Sequence, residues 1–300
     1  MIERYLDFLG LDETIKLLEA NEEPLIPTIR VNTLKISQDK LRTRLEKKGF
    51  KLEPIIEIPC GFKVIKKTSN LGSLHEFLQG YYYLQNKASM LPPLILNPQS
   101  NEVVIDMCAA PGSKSTHLAQ IMNNQGKLIL IEKKKERISA LKMNLRRMGI
   151  FNSVVLHSDA VNISHFKIKP DKILLDAPCT GEGLIKTDPN RKKSKTMKDI
   201  EKMASLQTKL LNAGLDAMHS GGLMLYCTCS IAPEENELVI NKILQENSDI
   251  SIKKLSNQYG IEGLTKVYGK KLNKSLNLTQ RIYPHIHETI GFFLCLLEKS

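Results

Sequence analysis

The sequence predicts an α/β protein in which a Rossmann-like, doubly wound and mainly parallel sheet follows a small N-terminal α+β unit. From Val103 onward, short apolar runs alternate with helical patterns. Strands that are apolar throughout belong in a parallel sheet covered by helices on both faces. Before residue 95 that alternation is absent, so the expected domains are 1–95 and 96–300.

In the smaller domain residues 28–34 have strand character. Ser37 is placed to cap a helix carrying Leu41 and Leu45, and Gly49 to stop it. Two short strands follow around 51–56 and 62–67, which gives a βαβ-type layout. The unit lacks the aromatic signature of a sequence-reading RNA domain. It reads either as an accessory substrate-binding module or as a structural cap. In the larger domain strands are expected at 103–108, 127–132, 153–159, 172–176 and 223–227. A helix over 135–148 carries Leu141 and Leu145 four apart, with Arg146 and Arg147 near its end. The last apolar run, 292–297, has no helix after it and is expected to insert antiparallel.

Composition narrows the partners. Lys and Arg number 43 against 32 Asp and Glu, a formal charge of +11. Surplus positive charge favours polyanions, because each neutralised phosphate releases counterions; solubility is the competing account. A hydrophobic fraction of 42% with 25% charged residues excludes wholesale disorder. No apolar run approaches the roughly 18 residues of a membrane span. The N-terminus carries acids where a signal peptide needs basic residues. A cytoplasmic protein without a membrane partner is expected. Six cysteines, at 60, 108, 179, 227, 229 and 295, are scattered without a CxxC pair. That spacing argues against a zinc site and against a disulfide scaffold, so no metal is expected.

The turn after the first strand of the larger domain is the usual ligand cradle of such sheets. It runs from Asp106 through Met107, Cys108, Ala109, Ala110, Pro111, Gly112, Ser113 and Lys114. Its small residues let a ligand approach the backbone. The next strand ends in Glu132, suited to accept both ribose hydroxyls. The third ends near Asp159, suited to an adenine amino group. A P-loop is excluded because Gly112-Ser113-Lys114 separates glycine from lysine, and a dinucleotide turn because only one glycine is present. S-adenosylmethionine fits best, since a sulfonium cation suits an acidic rim. The competing account is that these acids only cap helices and turns.

Two cysteines mark neighbouring strand ends. The fourth strand runs out through Asp176-Ala177-Pro178-Cys179 and the fifth through Cys227-Thr228-Cys229-Ser230. In a sheet of this order both loops face the methyl donor, so two thiols share a cleft. Either alone reads as a buried small hydrophobe; together they suggest covalent chemistry. Carbon 5 of cytosine is a poor nucleophile, and adding a thiolate to carbon 6 turns the ring into an enamine that can attack a sulfonium methyl. A free thiol with pKa ~8.5 is only about 3% ionised at neutral pH, so the site must supply positive potential or remove the proton. Lys114 is a candidate for the first, and Asp176 for bonding ring nitrogen 3 and the amino group.

These residues resemble the RsmB/NOP/Sun family of RNA cytosine-5 methyltransferases, in a form similar to archaeal tRNA enzymes. The resemblance rests on the Asp106–Lys114 loop, Asp-Ala-Pro-Cys179, and Thr-Cys-Ser230 followed by Pro233-Glu-Glu-Asn-Glu237. It extends to the stretches 30–34, 85–89 and 291–293, and so over most of the chain. It implies a class I methyltransferase domain, with Cys229 the nucleophile and Cys179 the product-release residue. It further implies that the 108–114 loop, Glu132, Arg137, Asp159 and Asp176 contact S-adenosylmethionine, with Asp176 and Lys114 also near the target base. The chain departs from the family's pattern at Glu182 in Thr-Gly-Glu-Gly, which sets an acid near the substrate. It departs again at Cys227, where serine is common, and strand alternation would point this third thiol to the face of Cys229.

Four features remain. Residues 186–195 hold five basic side chains, and Pro189 keeps them out of a regular helix; they read as a phosphate-gripping loop or as a solvated one. Lys133–Lys135 reads as a solvated helix start. Glu234, Glu235 and Glu237 read as first-turn acids complementing a helix dipole. His285 and His287, expected on an extended segment, read as structural or RNA-facing. The expected protein is a monomer acting on RNA, tRNA before rRNA, in 5-methylcytosine formation. The alternative is a noncatalytic RNA-binding or ribosome-assembly factor that keeps the fold.

Overall fold

In a computed structural model, which describes residues 1–300, the chain divides into two compact units: residues 26–160, and residues 1–25 together with 161–300. The chain opens with α1 (Ile2–Leu9) and α2 (Leu11–Glu22). These helices belong to the second unit, where Tyr5 and Leu17 pack with Ile231 and Tyr283.

Unit 26–160 begins with β1 (Thr28–Val31), α3 (Gln38–Glu46), β2 (Lys51–Pro54), β3 (Gly61–Lys66), α4 (His75–Leu78), β4 (Tyr82–Leu84) and α5 (Lys87–Leu96). Ser37 caps α3 as expected, its side chain accepting from the Lys40 N–H at 3.4 Å, and Leu41 and Leu45 are buried beneath it. Gly49 takes the left-handed turn that follows, at φ +84°. The four strands lie in the order β2-β3-β1-β4 with every neighbouring pair antiparallel. β1 and β2 therefore run parallel with β3 inserted between them, so the expected βαβ layout is a split one. The link at 55–60 is too short for a parallel crossover, which needs a dozen or more residues.

The same unit continues with β5 (Val103–Asp106), α6 (Ser113–Ile121), β6 (Lys127–Glu132), α7 (Lys135–Met148) and β7 (Ser153–His157). The three strands are parallel and in register, with Asp106 beside Leu130 and Glu132 beside His157. Their ends bring the cradle loop and two acids to one edge. β7 departs from the expectation of strands buried on both faces. It is the outermost strand, and Val154 is 59% exposed.

The second unit holds β8 (Lys172–Asp176), α8 (Met197–Ala217), β9 (Leu223–Thr228), α9 (Glu237–Glu246), β10 (Ile250–Ile252), β11 (Ile261–Glu262), β12 (Lys266–Val267), β13 (Lys270–Lys271), β14 (Gln280–Ile282), α10 (Pro284–His287) and β15 (Phe292–Lys299). β8 and β9 are parallel, and β15 pairs antiparallel with β9, as the missing following helix predicts. α8 starts at a capping box in which Thr196 and Asp199 bond each other's backbone N–H. Parallel strands linked through helices form the Rossmann-like arrangement read from the sequence. No helix is long and apolar enough to cross a membrane.

Candidate active site

In unit 26–160 the turn between β5 and α6 is held mainly through its own peptide groups. Asp106 anchors its root, accepting from the Cys108 N–H at 3.3 Å and from Ser115 Oγ at 2.7 Å. Ala109 N–H donates to the Ile131 carbonyl at 3.0 Å. Arg137 donates to the Ala110 carbonyl, and Asn144 donates to the Pro111 carbonyl at 2.9 Å. Arg30, fully buried in β1, donates to the Ser113 carbonyl at 2.6 Å and to Thr116 Oγ1 at 2.8 Å. Gly112 sits at φ +103°, and a Cβ there would meet Leu141 Cδ1 at 3.0 Å. Ala109 and Ala110 are buried, and Cys108 is half-buried.

Glu132 ends β6 and is buried, accepting from the Ala110 N–H at 3.3 Å and the Lys134 N–H at 2.8 Å. Arg137 lies 3.5 Å from the same carboxylate. A carboxylate offers about four acceptor sites, so capacity remains for a pair of ribose hydroxyls. Asp159, two residues beyond β7, is partly exposed and pairs with Lys133 at 2.7 Å. Lys133 is therefore more than a solvated helix start. Lys114 lies in the first turn of α6 and is buried. The small-residue turn and two successive strand-end carboxylates fit S-adenosylmethionine. Glu132 and Asp159 would take its hydrogen-bond donors, and the 108–113 backbone would lie against it.

In the second unit the structure brings Cys179 and Cys229 together, Sγ to Sγ at 3.1 Å, both half-buried. Ala177 N–H donates to the Cys227 carbonyl at 2.9 Å and Gly183 N–H to the Cys229 carbonyl at 3.0 Å, so the two strand ends run side by side. The hydrogen bond with Cys229 pushes the Cys179 thiol well above its ordinary value, helped by burial and by the charges of Cys229, Glu235 and Asp176. Asp176 ends β8, and its Oδ1 lies 3.6 Å from Cys227 Sγ.

Several sequence expectations change here. Cys227 is fully buried, with its thiol donating to Asp176, so this third thiol is shielded where Cys229 is half-buried. Glu182 faces Arg4 of α1 at 2.9 Å and is buried, so it belongs to a packed ion pair rather than to an open substrate surface. Of the three acids of the 233–237 motif only Glu237 lies in the first turn of a regular helix, α9, and all three bind specific side-chain partners. Glu234 pairs with Arg4 at 2.6 Å, and Glu237, fully buried, pairs with buried Arg281 at 2.5 Å. Glu235, also fully buried, binds Thr180, Ser230 and Gln207. A short 3₁₀ turn over Pro233–Glu235 and the non-helical Asn236 break the helix start, which turns each acid a different way.

The basic stretch is a 3₁₀ turn over Pro189–Lys192, with much of its charge already paired. Lys186 lies 3.8 Å from Glu23, Lys192 bonds Glu22, and Arg191 lies 3.1 Å from Asp188. Lys192, Lys193 and Lys195 are its exposed cations. The histidines lie on the helical turn α10, not on an extended segment. His285 reaches Glu13 at 2.9 Å, and His287 Nδ1 accepts from the Tyr283 N–H at 3.0 Å, so both are structural. Arg30 and Asn144 are supporting residues that sequence reasoning did not single out, and Glu235 is one that it read only as a helix-dipole acid. Arg30 and Glu235 lie within stretches that carried the family resemblance.

A Rossmann-like sheet with a small-residue first turn and acids at the ends of the next strands defines a class I, S-adenosylmethionine-dependent methyltransferase domain. The paired strand-end thiols narrow it further, and the chain belongs to the RsmB/NOP/Sun family. Residues 93–298 match the 16S rRNA methyltransferase RsmB/F family, and residues 1–87 match the N-terminal domain of 16S rRNA methyltransferase RsmF. The chain is 36% identical to the human 28S rRNA (cytosine(4447)-C(5))-methyltransferase, over all of this chain and 37% of that one. It is 33% identical to the tRNA (cytosine(49)-C(5))-methyltransferase of Pyrococcus abyssi, over all of this chain and 95% of that one. The crystal structure of NSun6 from Pyrococcus horikoshii with SFG superposes at a TM-score of 0.90 with 28% identity, covering 99% of this chain and 97% of that one. The chain spans between about a third and a half of the length of the human, mouse and fission-yeast rRNA relatives it matches.

Proposed function

We propose that the protein transfers a methyl group from S-adenosylmethionine to carbon 5 of cytosine in RNA, through a covalent bond between Cys229 and carbon 6. The observation that carries this reading is the 3.1 Å approach of Cys179 and Cys229. A noncatalytic RNA factor has no use for two thiols at hydrogen-bond distance in a half-buried strand-end cleft. S-adenosylmethionine supplies the electrophilic methyl.

Cys179, held protonated, donates its S–H to the sulfur of Cys229, which supports Cys229 as the attacking thiolate. Cys229 Sγ bonds carbon 6, and carbon 5 gains the electron pair that accepts the methyl. Asp176 bonds nitrogen 3 and the amino group of the base, and Lys114 adds positive potential. Once bonded to carbon 6, Cys229 no longer accepts from Cys179. A water held beside Cys179 then carries the proton leaving carbon 5 to solvent, so that Cys179 ends as it began, protonated. The carbon–sulfur bond breaks, and Cys229 returns as thiolate. Glu132 and Asp159 orient the cofactor, and Arg137 holds Ala110 and Glu132 in place for it.

The favoured substrate is tRNA, supported by the Pyrococcus abyssi tRNA enzyme, which is matched along 95% of its length. Residues 1–95 serve as the accessory RNA-holding module and 96–300 as the catalytic domain, supported by the separate family matches to 1–87 and 93–298. The protein works as a cytoplasmic monomer in this reading. The test is incubation with labelled S-adenosylmethionine and separated tRNA and rRNA lacking 5-methylcytosine. The expected result is labelled 5-methylcytosine in tRNA. Label only in rRNA overturns the substrate class, and label in neither, by protein that binds the cofactor and both RNAs, favours the noncatalytic factor.

A further inference from the structure

We propose that Glu235 is a positioning residue that sets the spacing of the two thiols by gripping the residue that follows each of them. Thr180 follows Cys179 and Ser230 follows Cys229. Glu235 Oε1 accepts from the Thr180 N–H at 2.8 Å and from Gln207 Nε2 at 3.1 Å. Its other oxygen accepts from Thr180 Oγ1 at 2.5 Å and from Ser230 Oγ at 2.6 Å. The capacity of a carboxylate is about four such bonds, so both oxygens are committed. Gln207 also donates to the Pro178 carbonyl at 2.8 Å, so Cys179 is bracketed on both sides by this one cluster.

Elsewhere the strand ends are spaced by backbone. Ala177 N–H binds the Cys227 carbonyl before the thiols, and Gly183 N–H binds the Cys229 carbonyl after Cys179. At Gly183 a Cβ would fall 2.3 Å from the Gly291 carbonyl oxygen and 2.8 Å from that of Cys229, so this approach admits no side chain. Between those two bonds the bridge across the gap is a side chain, Glu235. Glu235 is fully buried, so it acts through Thr180 and Ser230 and does not touch substrate. Its charge also helps keep the Cys179 thiol protonated. The arrangement matters because misplacing a reacting group by about 1 Å can cost on the order of a hundredfold in rate.

This inference rests on the reading of Cys179 and Cys229 as a working pair, and its test has an arm that does not. The full-length chain and its Glu235→Ala, Glu235→Gln and Thr180→Val/Ser230→Ala variants are treated with diamide. The rate of Cys179–Cys229 disulfide formation is then followed by peptide mass mapping. In parallel, kcat and KM for methyl transfer are measured. Glu235→Ala is expected to slow crosslinking about tenfold or more and to lower kcat by on the order of a hundredfold, with KM for S-adenosylmethionine unchanged. Glu235→Gln keeps the shape and one acceptor oxygen, while the two hydroxyls can turn to accept from its amide, so it should restore most of both. The double variant keeps Glu235 and the surrounding packing, and should lie between if Glu235→Ala fails to fold. Wild-type crosslinking rates in a folded Glu235→Ala or double variant overturn the proposal, as does slowed crosslinking with undiminished kcat. If the wild type crosslinks quickly but methylates no RNA, the functional reading fails and the crosslinking rates alone decide the role of Glu235.

Discussion

The cradle loop at 108–113 and the thiol pair at 179 and 229 are both strand-end sites, yet they are built by opposite means. The loop is fixed chiefly through main-chain atoms. Its carbonyls at Ala110, Pro111 and Ser113 take donors from Arg137, Asn144 and Arg30, while its own side chains stay small. The thiols are fixed through side chains, with Glu235 joined to Thr180 and Ser230, and Glu237 to Arg281. A ligand that must lie against backbone needs a site with little side-chain bulk. Two sulfurs that must meet at a set distance need side chains packed to hold them. The loop should therefore fail by losing ligand affinity, and the thiol region by losing stability or geometry.

The largest effect expected from that contrast is at Glu237. Removing it in Glu237→Ala leaves the buried Arg281 guanidinium unpaired, and breaking a buried pair typically costs about 3–5 kcal/mol. Urea unfolding should show this loss; a loss under about 1 kcal/mol would mean water or relaxation compensates the guanidinium. On the loop side, Glu132→Gln should weaken S-adenosylmethionine binding by about 10- to 100-fold, the equivalent of one or two charge-assisted hydrogen bonds. Calorimetric titration reads this directly. Unchanged affinity would remove Glu132 from the cofactor site.

Gly112→Ala should cost about 1–2 kcal/mol of stability from the left-handed φ alone, with a further adjustment of Leu141, which the new Cβ would crowd. Thermal unfolding with and without cofactor tests it, and a wild-type midpoint in both would contradict it. The smallest effect concerns pH. Burial raises the Glu182 carboxyl above its ordinary value of 4.5, although Arg4 opposes the shift. The folded chain then holds a proton that the unfolded chain releases, so this group's contribution to stability falls as pH rises from 4.5 through the folded pKa. Glu182→Gln removes that fall. Its stability relative to wild type should therefore rise over the same window and then level, and a flat difference would contradict the assignment.

What could be read in the sequence was what is local or periodic. Helix 135–148, strands 127–132 and 172–176, the Ser37 cap and the antiparallel last strand all follow from spacing and neighbouring residues. Glu132, Asp159, Cys179 and Cys229 were visible because strand ends carry sites in such folds. What stayed hidden depends on partners far along the chain. Arg4 meets Glu182 and Glu234, and Lys192 meets Glu22. Nothing within a few residues of either side announces such pairs, so a basic loop that reads as free has acidic neighbours for three of its five cations. The split order of β2, β3 and β1 was recoverable in principle, since a short 55–60 link forces antiparallel pairing. The buried role of Glu235 was not, because Pro233 mimics an ordinary helix start.

In the proposed mechanism Cys229 attacks the base and Cys179 is needed to let it go. The most direct measurement is denaturing electrophoresis and peptide mapping of Cys179→Ala after incubation with cytosine-containing substrate RNA and S-adenosylmethionine. The expected result is a stable RNA–protein adduct mapped to Cys229 and absent from Cys229→Ala. Full turnover by Cys179→Ala, or an adduct carried by any other residue, would contradict it.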